Sequence, residues 1–575
     1  MLEDYLTGLI KQALAELDLD AEEGEIELSR PALAWGDYST NVAMGLARRL
    51  NRQPLDLAEL LRAKLLELKD DRVAEVTVAG PGFVNFRLAT GFLTESLKEI
   101  LVGGEAFGRT KVLTGKKVLI EYTDPNPFKE FHIGHLMSNS IGEAISRLIE
   151  ANGAETKRVC YSGDIGLHVA KALWGIFKRE DAWPADSAPL SEKVKFLGQA
   201  YALGAAEYET GTPEAKEGII IINKKLYKRN DPKLNHLYDL GRRWSLDYFE
   251  LIYARLGTKF DHYFFESEAW TIGQKLVELG LTQGVFRKSD GAIIFPGADY
   301  DPSLHTRVFI NSAGVTTYEA KDLGLAKLKE DFYPADLSLT ITSNEQTDYF
   351  KVVHKALEQI LPEAARKTRH LPHGFLRLPS GKMSSRTGQV IPAESLLAEA
   401  ERKVLVKLAD RDLTEEVKAE IATGVAIGAI KYSILKQTPG KDIVFDFEKS
   451  LSFEGDSGPY LQYTYARARS VLKKAGPDHR YAAALLHDEL TQTETDLLRL
   501  LTRLPEVVES AYRELAPQQI VSYLLTVAGG FNRFYVETKI IGADNEAYYL
   551  ALTEATAVVL DNGLRLLAIP VLEKM

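Results

Sequence analysis

The feature that most constrains the fold of this chain is a strand–helix–strand pattern that begins at residue 118. Residues 118–123 form an apolar strand, and residues 133–151 carry apolar side chains at helical spacing on one face. Asn152 and the glycine after it end the helix, and residues 158–161 form the next strand. A strand, a helix and a strand at this spacing form a βαβ unit, which predicts a parallel sheet.

The loop before this helix carries the candidate chemistry, and it reads "PNPFKEFHIGH" from Pro125 to His135. Ligands of such sheets bind beyond the carboxyl ends of the strands, where this loop lies. Its two prolines stiffen it, Lys129 adds a positive charge, and Gly134 lets a flat ring approach the backbone. His132 and His135 share one side of the first helical turn, whose free N–H groups attract anions. The loop therefore predicts a nucleotide phosphate site without a glycine-rich P-loop.

Two other interpretations of the histidine pair are open. Two histidines three residues apart can be ordinary helix surface, or they can be metal ligands. A metal site needs a third ligand, and Asp164 in "GDIG" is the one candidate, although a turn explains that residue better.

A second candidate segment is "SGKMSSRTG", residues 380–388. Its flanking glycines predict a mobile loop. Lys382 is a compact charge suited to a phosphate, and Ser384 and Ser385 are hydrogen-bond donors. Taken alone, the segment is equally well explained as an exposed basic loop.

The chain has 575 residues, too many for one compact core, so we expect several domains. The patterns predict an α+β domain at 1–110, a parallel-sheet domain at 114–390 with a helical insertion at about 175–260, a helical region at 391–454, and an all-helical domain at 455–575. The helical stretches predicted in the first domain are 2–17 and 39–50, and later strands are predicted at 292–295, 307–310 and 337–342.

Composition restricts the classes of partner. Hydrophobic residues make up 45% and charged residues 26% of the chain, as in ordinary globular proteins. The net charge of −11 disfavours a non-specific nucleic-acid coat. Basic clusters at 224–229 and 467–474 leave a local nucleic-acid contact open, although each is also explained as a solvated helix face.

Cysteine content and apolar runs bear on the compartment. The single cysteine, Cys160, excludes a disulfide framework and a cysteine-based zinc site, and it fits a reducing cytoplasm. Residues 1–5 are acidic and have no apolar signal segment after them, and the longest aliphatic run, 219–222, is too short to span a bilayer. We therefore expect a cytoplasmic protein with no membrane partner and no zinc.

Together, "HIGH" and "KMSSR" resemble the two signatures of class I aminoacyl-tRNA synthetases. The segments "EYTDPNPFKEFHIGHLMSNSIGE", "YSGDIGLH", "GVTTYEAKDLGLA", "NEQTDYF" and "GDSGPYLQYTYARARSVL" resemble the arginyl family in particular, and so do "AGPGFVNFRL" and the final "GLRLLAIPVLEKM". The resemblance covers nearly the whole chain. It implies an α/β fold: a Rossmann-type catalytic domain, an N-terminal α+β domain and an all-α C-terminal anticodon-binding domain.

The resemblance implies an arginine–tRNA ligase. L-arginine would react with ATP to give arginyl-adenylate and pyrophosphate, and the adenylate would pass arginine to the 3′ end of tRNA(Arg), releasing AMP. His132, His135 and Lys382 would stabilise the phosphate charge. The implied ATP-binding set is Pro125, Lys129, His132, Gly134, His135, Lys382, Met383, Ser384 and Ser385. Mg²⁺ is expected with the ATP phosphates. Many family members lack a lysine at the position of Lys382, which leaves open how other basic residues share its work.

By the same resemblance, Glu121 and Asp322 face the guanidinium of arginine and Tyr318 packs beside it. Asn126, His132 and Gln346 would hold the α-amino and carboxylate end. The residues alone also allow a surface strand carboxylate, a helix-surface carboxylate, and turn or capping groups.

The resemblance also implies tRNA contacts. Phe83 and Asn85 would meet the D-loop corner, and Tyr460, Arg467 and Met575 would meet the anticodon loop. Strand packing and a core helix with a basic edge explain these residues equally well. A monomer is the family expectation.

Three other functions are alternatives to an arginine–tRNA ligase. A cysteinyl-type synthetase needs a Cys/His zinc site that one cysteine cannot supply. A non-enzymatic tRNA-binding descendant would have lost His132, His135 or Lys382, and all three are present. A smaller nucleotidyltransferase would lack the long helical C-terminal part.

Overall fold

The computed structural model describes residues 2–22, 24–32, 34–378, 391–476 and 490–575. In this part of the chain no helix is both long enough and apolar enough to cross a membrane.

The N-terminal elements surround a small antiparallel sheet with strand order β1-β2-β4-β3. They are α1 (Leu2–Glu16), β1 (Leu28–Ser29), β2 (Tyr38–Thr40), α2 (Val42–Leu50), α3 (Pro54–Glu67), β3 (Val73–Ala79), β4 (Phe83–Leu88) and α4 (Thr90–Gly103). The predicted helix at 39–50 is wrong in its first residues. Ser39 and Thr40 pair with β4, and the Thr40 hydroxyl accepts the backbone N–H of Val42 at 3.2 Å. The helix therefore starts only after the strand.

The central elements begin with β5 (Lys117–Tyr122), α5 (Ile133–Ala151) and β6 (Glu155–Ser162), as the strand–helix–strand pattern predicts. The next elements are α6 (Leu167–Lys178), α7 (Leu190–Thr210), α8 (Pro213–Lys228), α9 (Pro232–Leu256), β7 (His262–Phe265), α10 (Glu266–Thr282), β8 (Arg287–Ser289), β9 (Ala292–Phe295), β10 (Arg307–Ile310), α11 (Tyr318–Phe332), β11 (Leu337–Ser343), α12 (Thr347–Ile360), α13 (Pro362–Lys367), β12 (Thr368–His373) and β13 (Leu376–Arg377).

Five of these strands form a parallel sheet in the order β12-β11-β5-β6-β7. β5 lies at its centre, with Glu121 opposite Thr340 on β11 and opposite Val159 on β6. The chain order reverses around β5, so the loops after β5, β6 and β11 meet at the edge where ligands of such sheets bind. The strands predicted at 292–295 and 307–310 are present, but they belong to a separate antiparallel sheet, β10-β9-β8.

The predicted insertion is helical and consists of α6 to α9, which share their own apolar core. Helices α6 and α7 approach closely because each carries a glycine at the contact. A Cβ on Gly175 would lie 1.9 Å from the carbonyl oxygen of Ala200, and one on Gly204 would lie 1.9 Å from that of Lys171.

The C-terminal elements are α14 (Ala393–Lys407), α15 (Glu415–Leu435), β14 (Ile443–Val444), α16 (Phe447–Ser450), α17 (Gly458–Ala475), α18 (Gln492–Leu501), α19 (Leu504–Arg513), α20 (Gln518–Glu537) and α21 (Glu546–Leu566). The described residues after 393 are thus nearly all helical, as their periodicity predicts. The short exception, β14, pairs with β13.

Candidate active site

An acidic cavity of about 580 Å³ lies between the central sheet and helices α10, α11 and α12. It follows the sheet face from the middle of β5 to the loops after β5, β6 and β11. Of the six residues that the sequence predicts around arginine, His132 is not among those that line this cavity. The other five line it: Glu121, Asn126, Tyr318, Asp322 and Gln346.

Glu121 is the deepest of these groups. It is only 3% exposed, so it is not the surface strand carboxylate that the residue type alone allows. It forms an ion pair with Lys329 on α11, and the Lys329 ammonium also donates to the Thr340 hydroxyl at 3.2 Å. Sequence reasoning did not include Lys329, although it lies seven residues after Asp322 and hence on the same helical face.

Asp322 faces Glu121 from the neighbouring helix. The Tyr349 hydroxyl donates to Asp322 Oδ2 at 2.6 Å. Burial raises the pKa of Asp322 to about 7, against the hydrogen bond from Tyr349, and the charges of Glu121 and Glu266 raise it further. The positive charge of Lys329, which lowers this pKa, does not offset these effects.

Four more carboxyls that the sequence did not single out line the cavity: Asp124, Glu266, Glu330 and Glu345. Burial raises the pKa of Glu266 despite its ion pair with Lys321 at 2.5 Å. Burial and the charge of Glu121 raise the pKa of Asp124 well above its usual range. Six carboxyls thus line the cavity with three lysine or arginine side chains, Arg307, Lys329 and Lys367, and the cavity favours a ligand with positive charge and several N–H donors.

The loop after β5 is held in a strained conformation. Thr123, Asp124 and Phe128 have φ angles of 82°, 47° and 67°, a region that residues with a side chain rarely adopt. Two contacts with β6 and the loop after it fix the loop: the Pro125 carbonyl accepts the Ser162 hydroxyl at 2.9 Å, and Asn126 Oδ1 accepts the backbone N–H of Gly163 at 2.9 Å. The Asn126 side-chain NH₂ remains as the group that can donate to a carboxylate.

His132 and His135 cap helix α5 reciprocally. His132 Nδ1 accepts the backbone N–H groups of Gly134 at 3.1 Å and His135 at 3.4 Å, and His135 Nδ1 accepts the N–H of His132 at 3.2 Å. The rings stack with centroids 3.6 Å apart. A Cβ on Gly134 would lie 2.9 Å from the His132 ring, which explains the glycine between them.

These histidines are neutral donors. Burial, helped by the charge of Lys129, lowers the pKa of His132 to about 4. Burial, helped by His132, lowers the pKa of His135 well below its usual range. Because each Nδ1 accepts a hydrogen bond, each Nε2 carries the proton and can donate to a phosphate oxygen. Lys129 points its ammonium toward the ring of Tyr201, 4.8 Å away on α7.

Asp164 is a buried brace. It is 0% exposed and accepts the Ser267 backbone N–H at 2.9 Å and the Ser267 hydroxyl at 2.8 Å. It also pairs with Arg242 at 2.9 Å. It thereby fixes the start of α10, where Glu266 enters the cavity. Within the described ranges, no group of three or more histidine, cysteine or acidic residues is arranged to hold a metal ion.

A second cavity, of about 490 Å³, lies between α14, α17 and α20. Three of the predicted tRNA-binding residues, Tyr460, Arg467 and Met575, line it together with Lys407, Arg411, Phe453, Tyr463 and Asn532. Asn532 links two of them, since it donates to the Tyr460 hydroxyl at 2.9 Å and accepts from Arg467. Of the N-terminal pair, Phe83 is 37% exposed and Asn85 is buried.

The predicted ATP-binding residues Lys382, Met383, Ser384 and Ser385 lie outside the described residues.

Comparisons with known proteins agree along the chain. The model of the class I (R) tRNA synthetase catalytic domain matches residues 96–447, that of the arginyl tRNA synthetase N-terminal domain matches 4–88, and that of the DALR anticodon binding domain matches 461–575. The arginine–tRNA ligase of Treponema denticola is 32% identical over 548 residues, which cover 92% of this chain and 91% of that protein. The Thermus thermophilus arginyl-tRNA synthetase structure superposes with a TM-score of 0.80 at 27% identity and covers 100% of both chains.

The parallel sheet, the histidine-capped helix and the first of these matches define a class I aminoacyl-tRNA synthetase. Within that class, the chain belongs to the arginyl-tRNA synthetase family. The fold class expected from the sequence is confirmed.

Proposed function

We propose that this chain is an arginine–tRNA ligase and that the acidic cavity binds the side chain of L-arginine. The observation that carries the site assignment is the excess of carboxyls in that cavity. A guanidinium is planar, always charged and rich in N–H donors, and it pairs with carboxylates in a fixed geometry. Glu121 and Asp322 are its ionic partners, and Tyr318, 57% exposed at the mouth, packs beside its chain.

The other end of the amino acid lies toward the loops. Asn126 offers its side-chain NH₂ to the carboxylate, and Gln346, which also lines the cavity, offers its side-chain amide to the same end of the amino acid. This orientation leaves the arginine carboxylate near the start of α5. ATP binds there with Mg²⁺ on its phosphates, and the neutral Nε2–H groups of His132 and His135 donate to its phosphate oxygens.

The reaction needs positioning more than a proton-transfer group. The arginine carboxylate is already the nucleophile, and it displaces pyrophosphate from the α-phosphate in line. Donors at the start of a helix stabilise the charge that develops on the phosphate. Lys382 acts on the same charge from the second signature.

The tRNA is held at two places. The cavity with Tyr460, Arg467 and Met575 combines aromatic faces with cations, which suits unpaired bases and their phosphates. The exposed Phe83 offers a stacking face on the N-terminal sheet. We place the enzyme in the cytoplasm as a monomer.

Charging of total tRNA with each of the twenty amino acids, in the presence of ATP and Mg²⁺, tests the activity. Arginine alone should be esterified.

Asp322→Asn should raise the KM for arginine at least tenfold with little change in the KM for ATP, since a charged buried hydrogen bond is lost. Asp331→Asn, on the same helix but exposed and paired with Lys327, is the matched control. Equal loss of arginine and ATP affinity in Asp322→Asn would refute the guanidinium site. Binding of tRNA without charging of any amino acid would refute the enzyme.

A further inference from the structure

The hydroxyl of Tyr161 is a buried polar atom in the acidic cavity with no hydrogen-bond partner. Its position is well fixed. The Tyr161 backbone N–H donates to Asp124 Oδ1 at 2.7 Å, and its ring packs against the apolar cluster of Val159, Phe264 and Leu325. A buried hydroxyl without a partner is uncommon and calls for an explanation.

The sheet register places Tyr161 between the level of Glu121 and the loop that Asn126 contacts. Val159 lies opposite Glu121 on the neighbouring strand, and Tyr161 is two residues further toward the carboxyl end on the same sheet face. Gly163, which contacts Asn126, follows two residues later. Tyr161 thus lies just outside the level of Glu121, where the guanidinium would be.

The phenol remains neutral at this position. Burial raises its pKa well above the usual range, and the charges of Glu266, Asp322, Glu121 and Asp164 raise it further. A neutral hydroxyl can accept a hydrogen bond from a cationic N–H while adding no further negative charge.

The two carboxylates assigned to the guanidinium do not by themselves offer a free oxygen to each of its N–H groups. It has five N–H donors, but Glu121 Oε2 is engaged by Lys329 and Asp322 Oδ2 is engaged by Tyr349. Each carboxylate therefore has only one oxygen without a protein partner in these contacts. A buried donor left unsatisfied would weaken binding.

We propose that the Tyr161 hydroxyl accepts a guanidinium N–H of bound arginine and so acts as a third specificity residue beside Glu121 and Asp322. This inference rests on the proposed arginine site. It accounts for a hydroxyl that is enclosed by carboxyls and bonded to none of them.

The test is Tyr161→Phe, which removes only the hydroxyl. In arginine-dependent exchange of pyrophosphate into ATP, with tRNA present, its KM for arginine should rise about tenfold or more. Its kcat and its KM for ATP should stay near those of the unmodified enzyme, because the lost contact acts on substrate binding. Calorimetric titration of arginine at a temperature far below unfolding should show the same loss in Kd.

Tyr333→Phe is the control, because the Tyr333 hydroxyl is already bonded to the backbone carbonyl of Glu155 at 3.2 Å. Its KM for arginine should not change. An unchanged KM in Tyr161→Phe, alongside a raised KM in Asp322→Asn, would overturn the role of Tyr161 and leave the arginine site standing. Unchanged values in both variants would instead overturn the site. A lower kcat with an unchanged KM in Tyr161→Phe would show a structural role and also overturn the proposal.

Discussion

At the scale of single residues, the cavity combines carboxyls that would repel one another without a ligand. Burial raises the pKa of Asp322 to about 7, so this carboxyl holds a proton part of the time at neutral pH. In the proposed site, arginine brings a positive charge to this carboxyl, so arginine binding and ionisation of Asp322 should be linked.

Arginine affinity should therefore depend on pH near neutrality. The pKa of Asp322 in the folded, ligand-free protein is raised from 3.8 to about 7. The stabilisation of the fold by the protonated Asp322 carboxyl is thus fully present below pH 3.8 and is lost as the pH rises through 7. Arginine, in contrast, binds the protein in which this carboxyl is ionised. The Kd for arginine should increase about tenfold for each pH unit below 7. Calorimetric titration between pH 5.5 and 8.5 measures this.

Asp322→Asn should bind arginine weakly and with a nearly flat profile over the same range. A profile of the unmodified protein that is equally flat would show that this carboxyl does not control binding.

The residues of this cavity that the sequence singles out all lie in the segments resembling the arginyl family. The structure brings five residues that the sequence groups around one ligand into one cavity, and their role toward arginine stays a prediction: Glu121, Asn126, Tyr318, Asp322 and Gln346. Glu266, Lys321 and Tyr161 could not be predicted, because their roles depend on how α10 packs against α11 and β6. Nothing in their local sequence reports that packing.

At the scale of elements, helix α5 connects β5 and β6 of the central sheet and contacts the C-terminal helices α15, α19 and α21. It has 19 residues, about 28 Å at 1.5 Å per residue. Its apolar periodicity and its Asn-Gly stop made both of its ends predictable from the sequence. The start of α2 was not predictable in this way, because Ser39 and Thr40 pair with a strand that lies more than forty residues later in the chain.

Close packing of α5 on β5 depends on Gly142. A Cβ there would lie 2.2 Å from Tyr122 Cγ, and Tyr122 is fully buried with its hydroxyl bonded to Glu143. Gly142→Ala should therefore destabilise the protein by about 1–3 kcal/mol through overpacking. Scanning calorimetry should record a lower Tm together with reduced arginine activation, since β5 carries Glu121.

Gly529→Ala on α20 is the matched helical control, because a Cβ there meets nothing within 4 Å. It should stabilise by about 0.5–1 kcal/mol, since alanine is the better helix former. Similar Tm values for the two variants would contradict the close helix–strand contact.

At the scale of the whole molecule, the parts are joined by polar contacts, some of them buried, that no periodicity reveals. Asn152, which follows α5, donates to the Val508 carbonyl of α19 at 3.3 Å. Arg147 donates to the carbonyl of Arg565 on α21 at 2.7 Å and to that of Gly257, after α9, also at 2.7 Å. The sequence predicts separate helical and sheet regions, but not these contacts, because each pairs residues that are distant in the chain.

The N-terminal sheet is held against the C-terminal helices by a buried ion pair. Asp37, before β2, lies 3.0 Å from Arg499 on α18, and their side chains are 2% and 5% exposed. Burial raises the pKa of Asp37, while the Leu88 backbone N–H and Arg499 oppose that rise. The pair thus offsets a desolvation cost, and it should matter most when one partner is removed.

Arg499→Met should therefore lower stability by about 3–5 kcal/mol, because it leaves a buried carboxylate unpaired. Asp37→Asn in the same chain should recover much of this loss, since asparagine Oδ1 can still accept the Leu88 N–H that now lies 2.7 Å from Asp37. Calorimetry on both single variants and the double variant gives the coupling energy. Arg533→Met, which breaks an exposed pair with Glu537 on α20, should change stability by less than about 1 kcal/mol. If Arg499→Met cost no more than this control, the Asp37–Arg499 pair would not hold the N-terminal sheet, which also contacts α19 through Arg30, Tyr38 and Glu506.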